Sequence, residues 1–235
     1  MDQLEQITAL IALTMGVGWA SGINLYATIL MLGVLSNMGH MELPAGLEVV
    51  GDPLVLMAAG FMYCVEFFAD KIPGVDSGWD TLHTFIRIPA GAALAAGAVG
   101  DMNEAVVVAA ALVGGSLAAS SHALKAGTRV MINTSPEPVS NWAASFTEDI
   151  AVLAGLWAAL NHPLWFLGAL LLFIILLIWA LPKIWRGVQK VFKFLSGLFG
   201  GKSAVEDTTA PTDKDYREAV GGKEGKANPL PGGKT

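Results

Sequence analysis

Ionisable side chains are scarce in the first 182 residues of this sequence, and most of them crowd into two short stretches. One runs from Glu66 to Arg87 and includes Asp70, Lys71, Asp76, Asp80 and His83. The other runs from His122 to Asp149 and includes Lys125, Arg129, Asn141 and Glu148. Apolar runs flank both stretches, so these groups lie at or inside the edge of a hydrocarbon layer, where an unpaired charge is costly. Two chemistries fit. Opposite charges at matching depth pair across a bundle, Arg87 with Glu148 or Asp149, and serve only to hold it together. Alternatively, the charges line a polar cavity for an ion or a small polar or anionic solute. Lys71, Arg87, Lys125 and Arg129 then meet the substrate, and the acids balance charge or relay protons. Several members also have plain readings: Lys71 snorkels, His122 packs or hydrogen-bonds, and Trp79 and Trp142 anchor at an interface. No nucleotide loop, nucleophile elbow, zinc motif or cysteine pair is present, so the residues supply no cofactor or metal site and point away from an enzyme.

The elements that position these residues are membrane helices. The chain is 54% hydrophobic and 14% charged, too little polar surface to wet a soluble globule. Its formal net charge of −6 argues against nucleic acid as a partner. The lone Cys64 excludes an intrachain disulfide. Apolar runs fall at Ile7–Leu35, Leu54–Phe68, Ile88–Val99, Ala105–Ala119, Ile150–Leu160 and Leu164–Leu181, which predicts an all-α polytopic bundle of about six transmembrane helices over residues 1–182. The third and fifth runs are short of the ~20 residues a bilayer needs. They gain length by starting near Trp79 or Asp80 and near Asn141, which carries charge into the membrane, or else they are half-helices beside re-entrant loops.

The long first run contains Gly16-Val17-Gly18-Trp19-Ala20-Ser21-Gly22-Ile23-Asn24. Gly18 and Gly22 form a small-xxx-small pair for close helix packing; the same stretch also reads as a broken helix that turns Asn24 and freed backbone groups toward a substrate. Lys and Arg fall only on the connections after the second, fourth and sixth runs, so the charge rule puts both termini in the cytoplasm. The start of the chain, with Asp2 and Glu5 and no basic residue, carries no evident cleavable signal. Residues 183–199 set Lys183, Arg186, Lys190 and Lys193 against an apolar stripe, which predicts a basic amphipathic helix lying on anionic lipid headgroups. Residues 200–235 read as a disordered cytoplasmic tail.

The two polar stretches share an Ala-x-Lys leading into glycine, a Ser-x-Trp, and a hydroxyl residue before Phe (Thr84-Phe85, Ser145-Phe146). This suggests a parallel duplication of two hairpins, with chance similarity of such turns as the alternative. The strings Glu66–Gly74 (EFFADKIPG), Val75–Phe85 (VDSGWDTLHTF), His122–Thr128 (HALKAGT) and Asn133–Trp142 (NTSPEPVSNW) resemble the bacterial membrane family named domain of unknown function 4126, over about residues 7–163. The resemblance implies a bacterial inner-membrane protein whose signature is these hairpins, and it brings no activity, substrate or cofactor. The function expected first is a transporter or channel. A lipid-headgroup-binding or lipid-translocating protein and a membrane assembly factor are the alternatives, and Ala/Gly-rich helices make a homodimer plausible.

Overall fold

The computed structural model describes residues 3–134 and 138–199. It is all-α, with seven helices among the described residues. These are α1 (Gln3–Asn37), a short 3-10 helix (Ala45–Gly51), α2 (Pro53–Ala69), α3 (Val75–Gly97), α4 (Glu104–Ile132), α5 (Pro138–Asn161) and α6 (Pro163–Phe199). The chain divides into two units, and the bundle belongs to the first, Met1–Phe194. The tail expected over 200–235 lies outside the described residues. The basic segment expected after Pro182 continues α6, which contains Pro182 in its interior.

Among the described residues, four helices are by length and composition apolar enough to cross a membrane: Gln3–Asn37, Glu104–Ile132, Val139–Asn161 and Pro163–Lys193. The 3-10 helix and α2, bent by 65° to each other, together make a fifth. The chain is thus a multi-pass membrane protein with four to five candidate spans rather than six. The shortfall is α3, whose inward stripe of Asp76, Asp80, His83 and Arg87 lowers its hydropathy. α3 and α5 are whole helices, not half-helices, and they begin further out than expected, at Val75 and Pro138. Gly74, at φ 86°, makes the turn into α3, a conformation open to glycine at little cost. The Asp76 carboxylate then accepts from the Gly74 and Ser77 amides, at 2.9 and 2.6 Å, and closes the helix start.

The re-entrant element is α1. Its backbone leaves the helical region at Asn24 (φ −147°, ψ 97°). Asn24 Oδ1 accepts from the Ala27 amide at 3.0 Å, so Asn24 is the N-cap of a second arm, residues 25–37. The arm after the break returns toward the end from which the first arm came. Tyr26 meets His83, whereas Gly46 packs on Gly97, about 21 Å further along α3 at 1.5 Å per residue. Gly33 packs against Val50, and four residues of chain between Gly46 and Val50 reach ~14 Å at most. A straight α1 would instead carry Gly33 about 13 Å past Asn24 in the opposite direction. α1 therefore folds into a helical hairpin with Asn24 at its tip.

This hairpin sets the ends of the bundle. Leu4, Glu5 and Thr8 share a cavity with Asn161, His162 and Trp165, and Ile7 and Ile11 share another with Met102 and Val106. The start of α1, the connections at 38–52 and 100–104, and the α5–α6 turn thus lie at one end, and none carries Lys or Arg. α6 runs from there to the other end, where Gly187 lies against Met131 and Gly127 against Ile184. The described start of α1 and the later part of α6 are at opposite ends, so the expectation of both termini on one face is corrected. A single crossing by α1 had been counted where the helix doubles back.

Around the first arm the packing is close. A Cβ on Gly18 would lie 2.6 Å from Gly114 Cα, one on Gly91 would lie 2.5 Å from Ala118 Cβ, and one on Gly22 would collide with the Ala118 carbonyl. Ala12, Val17, Ala20, Leu25, Leu32, Leu47, Ala95, Leu156 and their neighbours fill the apolar core.

Candidate functional site

Helical spacing brings the two polar stretches together at the tip of α1. Glu66 and Asp70 lie one turn apart on α2. Asp76, Asp80, His83 and Arg87 follow at intervals of four, three and four on α3. His122, Lys125 and Arg129 lie at three and four on α4, and Asn141, Ser145 and Glu148 at four and three on α5. Such intervals hold side chains on one helix face, and all four faces turn inward. Glu66, Asp76, Asp80, Arg87, Arg129 and Asn141 are 0% exposed.

The centre is an ion-pair network of three cations and four carboxylates. Arg87 reaches Glu66 at 2.6 Å and Asp80 at 3.2 Å. Lys125 reaches Asp70 at 2.8 Å, Glu66 at 3.3 Å, Glu148 at 3.5 Å and Asp80 at 3.8 Å. Arg129 holds Glu148 through Nε and Nη2, at 3.2 and 2.6 Å, and donates to the carbonyls of Asp70 and Asn141. Among the described residues Arg87 pairs with neither Glu148 nor Asp149. Matching depth had been read from the two hairpins as if they faced each other; in the fold, Arg87 finds its acids on α2 and one helical face back on α3.

Lys125 also donates to the Ile23 carbonyl at 3.2 Å. That carbonyl is freed because α1 breaks at the next residue. Asn24 Nδ2 donates to Asp149 Oδ1 at 2.9 Å, and Tyr63 donates to Asp149 Oδ2 at 3.3 Å. The hairpin tip is thereby tied to α4, α5 and, through Asp149, α2.

Lys71 stands apart from the network. It donates to the Phe67 carbonyl and to Ser145 and lies over the Phe67 ring with Trp142 and Phe146 around it, an arrangement that favours an ammonium. Burial draws Lys71 below the usual lysine pKa, against the opposing pull of Asp149 and Asp70. At the end of α2, burial alone would raise the Asp70 carboxyl, but Lys125, then Arg129 and Arg87, outweigh it and hold the group below its ordinary value. Asp76 belongs to a latch at the outer edge: Asn133 donates to Asp76 and Ser77, and Asn141 donates to Asn133.

Both histidines are fixed at Nδ1 by their partners. His83 Nδ1 faces the Trp79 carbonyl at 2.9 Å and must carry a proton, while Nε2 lies 3.0 Å from the Tyr26 hydroxyl. His122 Nδ1 faces the Arg87 guanidinium at 3.3 Å and must accept. Its Nε2–H then donates to Thr84, which donates to the Asp80 carbonyl.

The charges pack against one another in the space between the helices. A groove of about 520 Å³ between α4 and α5 reaches them from the side; its walls are mostly apolar, with Leu124, Ile132, Ala151 and Phe173, and Lys125 and Glu148 also stand on them. The described residues include no group of His, Cys, Asp and Glu placed to hold a metal ion. Lys183, Arg186, Lys190 and Lys193 lie on the later part of α6, where Lys183 covers the Trp179 ring and Arg186 donates to the Pro182 carbonyl.

The site also contains residues that the sequence reading passed over: Tyr26, Tyr63, Thr84, Asn133 and Ser145. The tyrosines carried a signal, since the whole chain has three and two of them fall inside apolar runs. Thr84 and Ser145 had been noticed as matched hydroxyls before Phe, but not as partners of His122 and Lys71.

The chain belongs to the family described as domain of unknown function 4126 (DUF4126), whose profile matches residues 11–183. The match extends through most of α6, twenty residues beyond the expected limit near 163. No curated protein and no solved structure matches the chain.

Proposed function

We propose that the protein is a transporter for an ion or small polar solute, and that the α1 hairpin is its moving part. The observation that carries this reading is Lys125, which binds the freed Ile23 carbonyl at the hairpin tip and acids from α2, α3 and α5 at once. A change in the charge around Lys125 alters its hold on the tip, so binding at the centre and movement of α1 are linked. Broken helices whose ends meet ions and substrate are a recurring device in transporters, and buried ionisable groups in membranes mark ion and proton pathways.

The end carrying Lys71 and the basic part of α6 faces the cytoplasm in this reading. The start of α1, with Asp2 and Glu5 and no basic residue before Lys71, then faces the opposite side. Cysteines introduced at Gln3 and Lys190 test the orientation: a membrane-impermeant maleimide applied to intact cells labels the first and spares the second.

Purified protein in liposomes is given gradients of inorganic phosphate, acetate and monovalent cations. The expected result is flux above protein-free vesicles that falls to background in Lys125→Met and Asn24→Ala variants shown to be folded. Absence of flux with every probe in folded wild-type protein overturns the transport reading.

The lateral groove favours a second reading, a lipid-headgroup site, because its mostly apolar walls suit an acyl chain while Lys125 and Glu148 stand on them for a charged headgroup. Native mass spectrometry that finds a retained anionic lipid, lost on Lys125→Met, with no solute flux, would decide for it.

A further inference from the structure

Asp80 differs from the other acids of the centre. Glu66, Asp70 and Glu148 each have a cation within 2.8 Å, at 2.6, 2.8 and 2.6 Å. Among the described residues, Asp80 is held only by Arg87 at 3.2 Å and Lys125 at 3.8 Å, both on Oδ1, and its Oδ2 has no hydrogen-bond partner. Its side chain is fully buried.

Charge counting leads to the same residue. Arg87, Lys125 and Arg129 balance three of the four carboxylates, leaving one in surplus. No nearby group absorbs it. From α2 the network is faced by Glu66 and Asp70, both acids. From α3 and α4 come His83, which is turned to the Trp79 carbonyl and the Tyr26 hydroxyl instead of a carboxylate, and His122, whose Nδ1 must accept from Arg87 and so stays neutral. From α5 come Glu148, already held by Arg129, and Asp149, a further acid held by Asn24 and Tyr63. From α1 come only the Tyr26 hydroxyl and the Ile23 carbonyl. Lys71 is engaged elsewhere, with Ser145 and the Phe67 ring. A buried surplus charge is expensive, and a carboxyl in that position takes up a proton instead.

We infer that Asp80 is the proton-binding site of the centre, neutral when the network is closed as seen here, and that a proton is the coupling ion of the transporter. A proton on Oδ2 converts an orphaned acceptor into a donor, in a network where Glu66 Oε2 and Asp70 Oδ1 are also unused acceptors. Loss of that proton leaves four carboxylates against three cations and strengthens the pull on Lys125 away from Ile23. The coupling role rests on the transport reading; the proton assignment does not.

The test is infrared spectroscopy of the full-length protein in lipid at neutral pH. Wild type should show the carbonyl band of a buried, protonated carboxylic acid. The band should move when aspartate carboxyls are labelled with carbon-13 and stay in place when glutamates are labelled. Asp80→Asn should abolish it. If that variant does not fold, Asp80→Glu should transfer the isotope sensitivity from aspartate to glutamate. Absence of the band in wild type, including the case in which sodium ion occupies the centre, overturns the proposal, as does a band that survives Asp80→Asn or follows the glutamate label in wild type. A band that behaves as expected in vesicles without solute flux leaves the proton site standing and removes the transport reading.

Discussion

The bundle is held together differently at its two ends. Around Gly18, Gly91 and Gly114 the helices touch backbone to backbone, with no charge between them. Around Lys125 they are kept apart by long side chains and bound by ion pairs. The first arrangement gains from dispersion and close fit. The second contributes little net stability, because desolvating the charges offsets most of their attraction. A protein that needed only to stay folded had the cheaper solution available in its own other half. The proposed function accordingly rests on the charged end.

Removing one charge without its partners should be the most damaging change. Arg87→Ala leaves Glu66 and Asp80 buried against a missing cation and should cost about 3–5 kcal/mol, read as a lowered unfolding midpoint in detergent or lipid. If the loss is no larger than for an apolar truncation, the centre is wetter than its burial implies. The glycine end should respond next. Gly18→Val drives a branched side chain into the Gly114 backbone and should cost about 1–3 kcal/mol, read as a lowered unfolding midpoint.

Asn24→Ala removes the cap of the second arm and the bond to Asp149, with an expected loss of about 1–2 kcal/mol. Its stronger signature is faster amide hydrogen exchange at residues 25–28. The smallest effect is a pH response. Because Asp70 is held below its ordinary value, its stabilisation is complete above about pH 4 and fades as the pH drops toward its lowered value in the fold. Asp70→Asn should flatten that acid limb of the unfolding midpoint and lower the midpoint at neutral pH.

Much of this site was legible in the residues. Ionisable groups in apolar surroundings announce themselves, and Glu66, Asp70, Arg87, Lys125, Arg129 and Glu148 all meet in the fold. Partner choice was not legible, since it depends on how four helices rotate about their axes, and depth along the chain says nothing of rotation. The break at Asn24 was suggested by its glycine-rich surroundings. The reversal there was hidden, because an unbroken run of apolar residues suits one long helix as well as two short arms. Only the contacts of Gly33 with Val50 and of Gly46 with Gly97 separate the two.

The hairpin has a consequence for how the protein is made. Asn24 and its partner Asp149 are 125 residues apart, so at 5–20 residues per second the acid leaves the ribosome roughly 6 to 25 s after the asparagine. Tyr63, Lys125 and Asp149 emerge one after another in that interval, and the tip of the nascent hairpin is fully satisfied only when the last of them is made. Between Gln6 and Asn37 the chain carries no charged residue, and its buried Thr14, Ser21 and Thr28 bond back to carbonyls of their own helix arms. The opening segment is thus built to wait alone in the bilayer, with every ionic partner of its tip supplied by later helices.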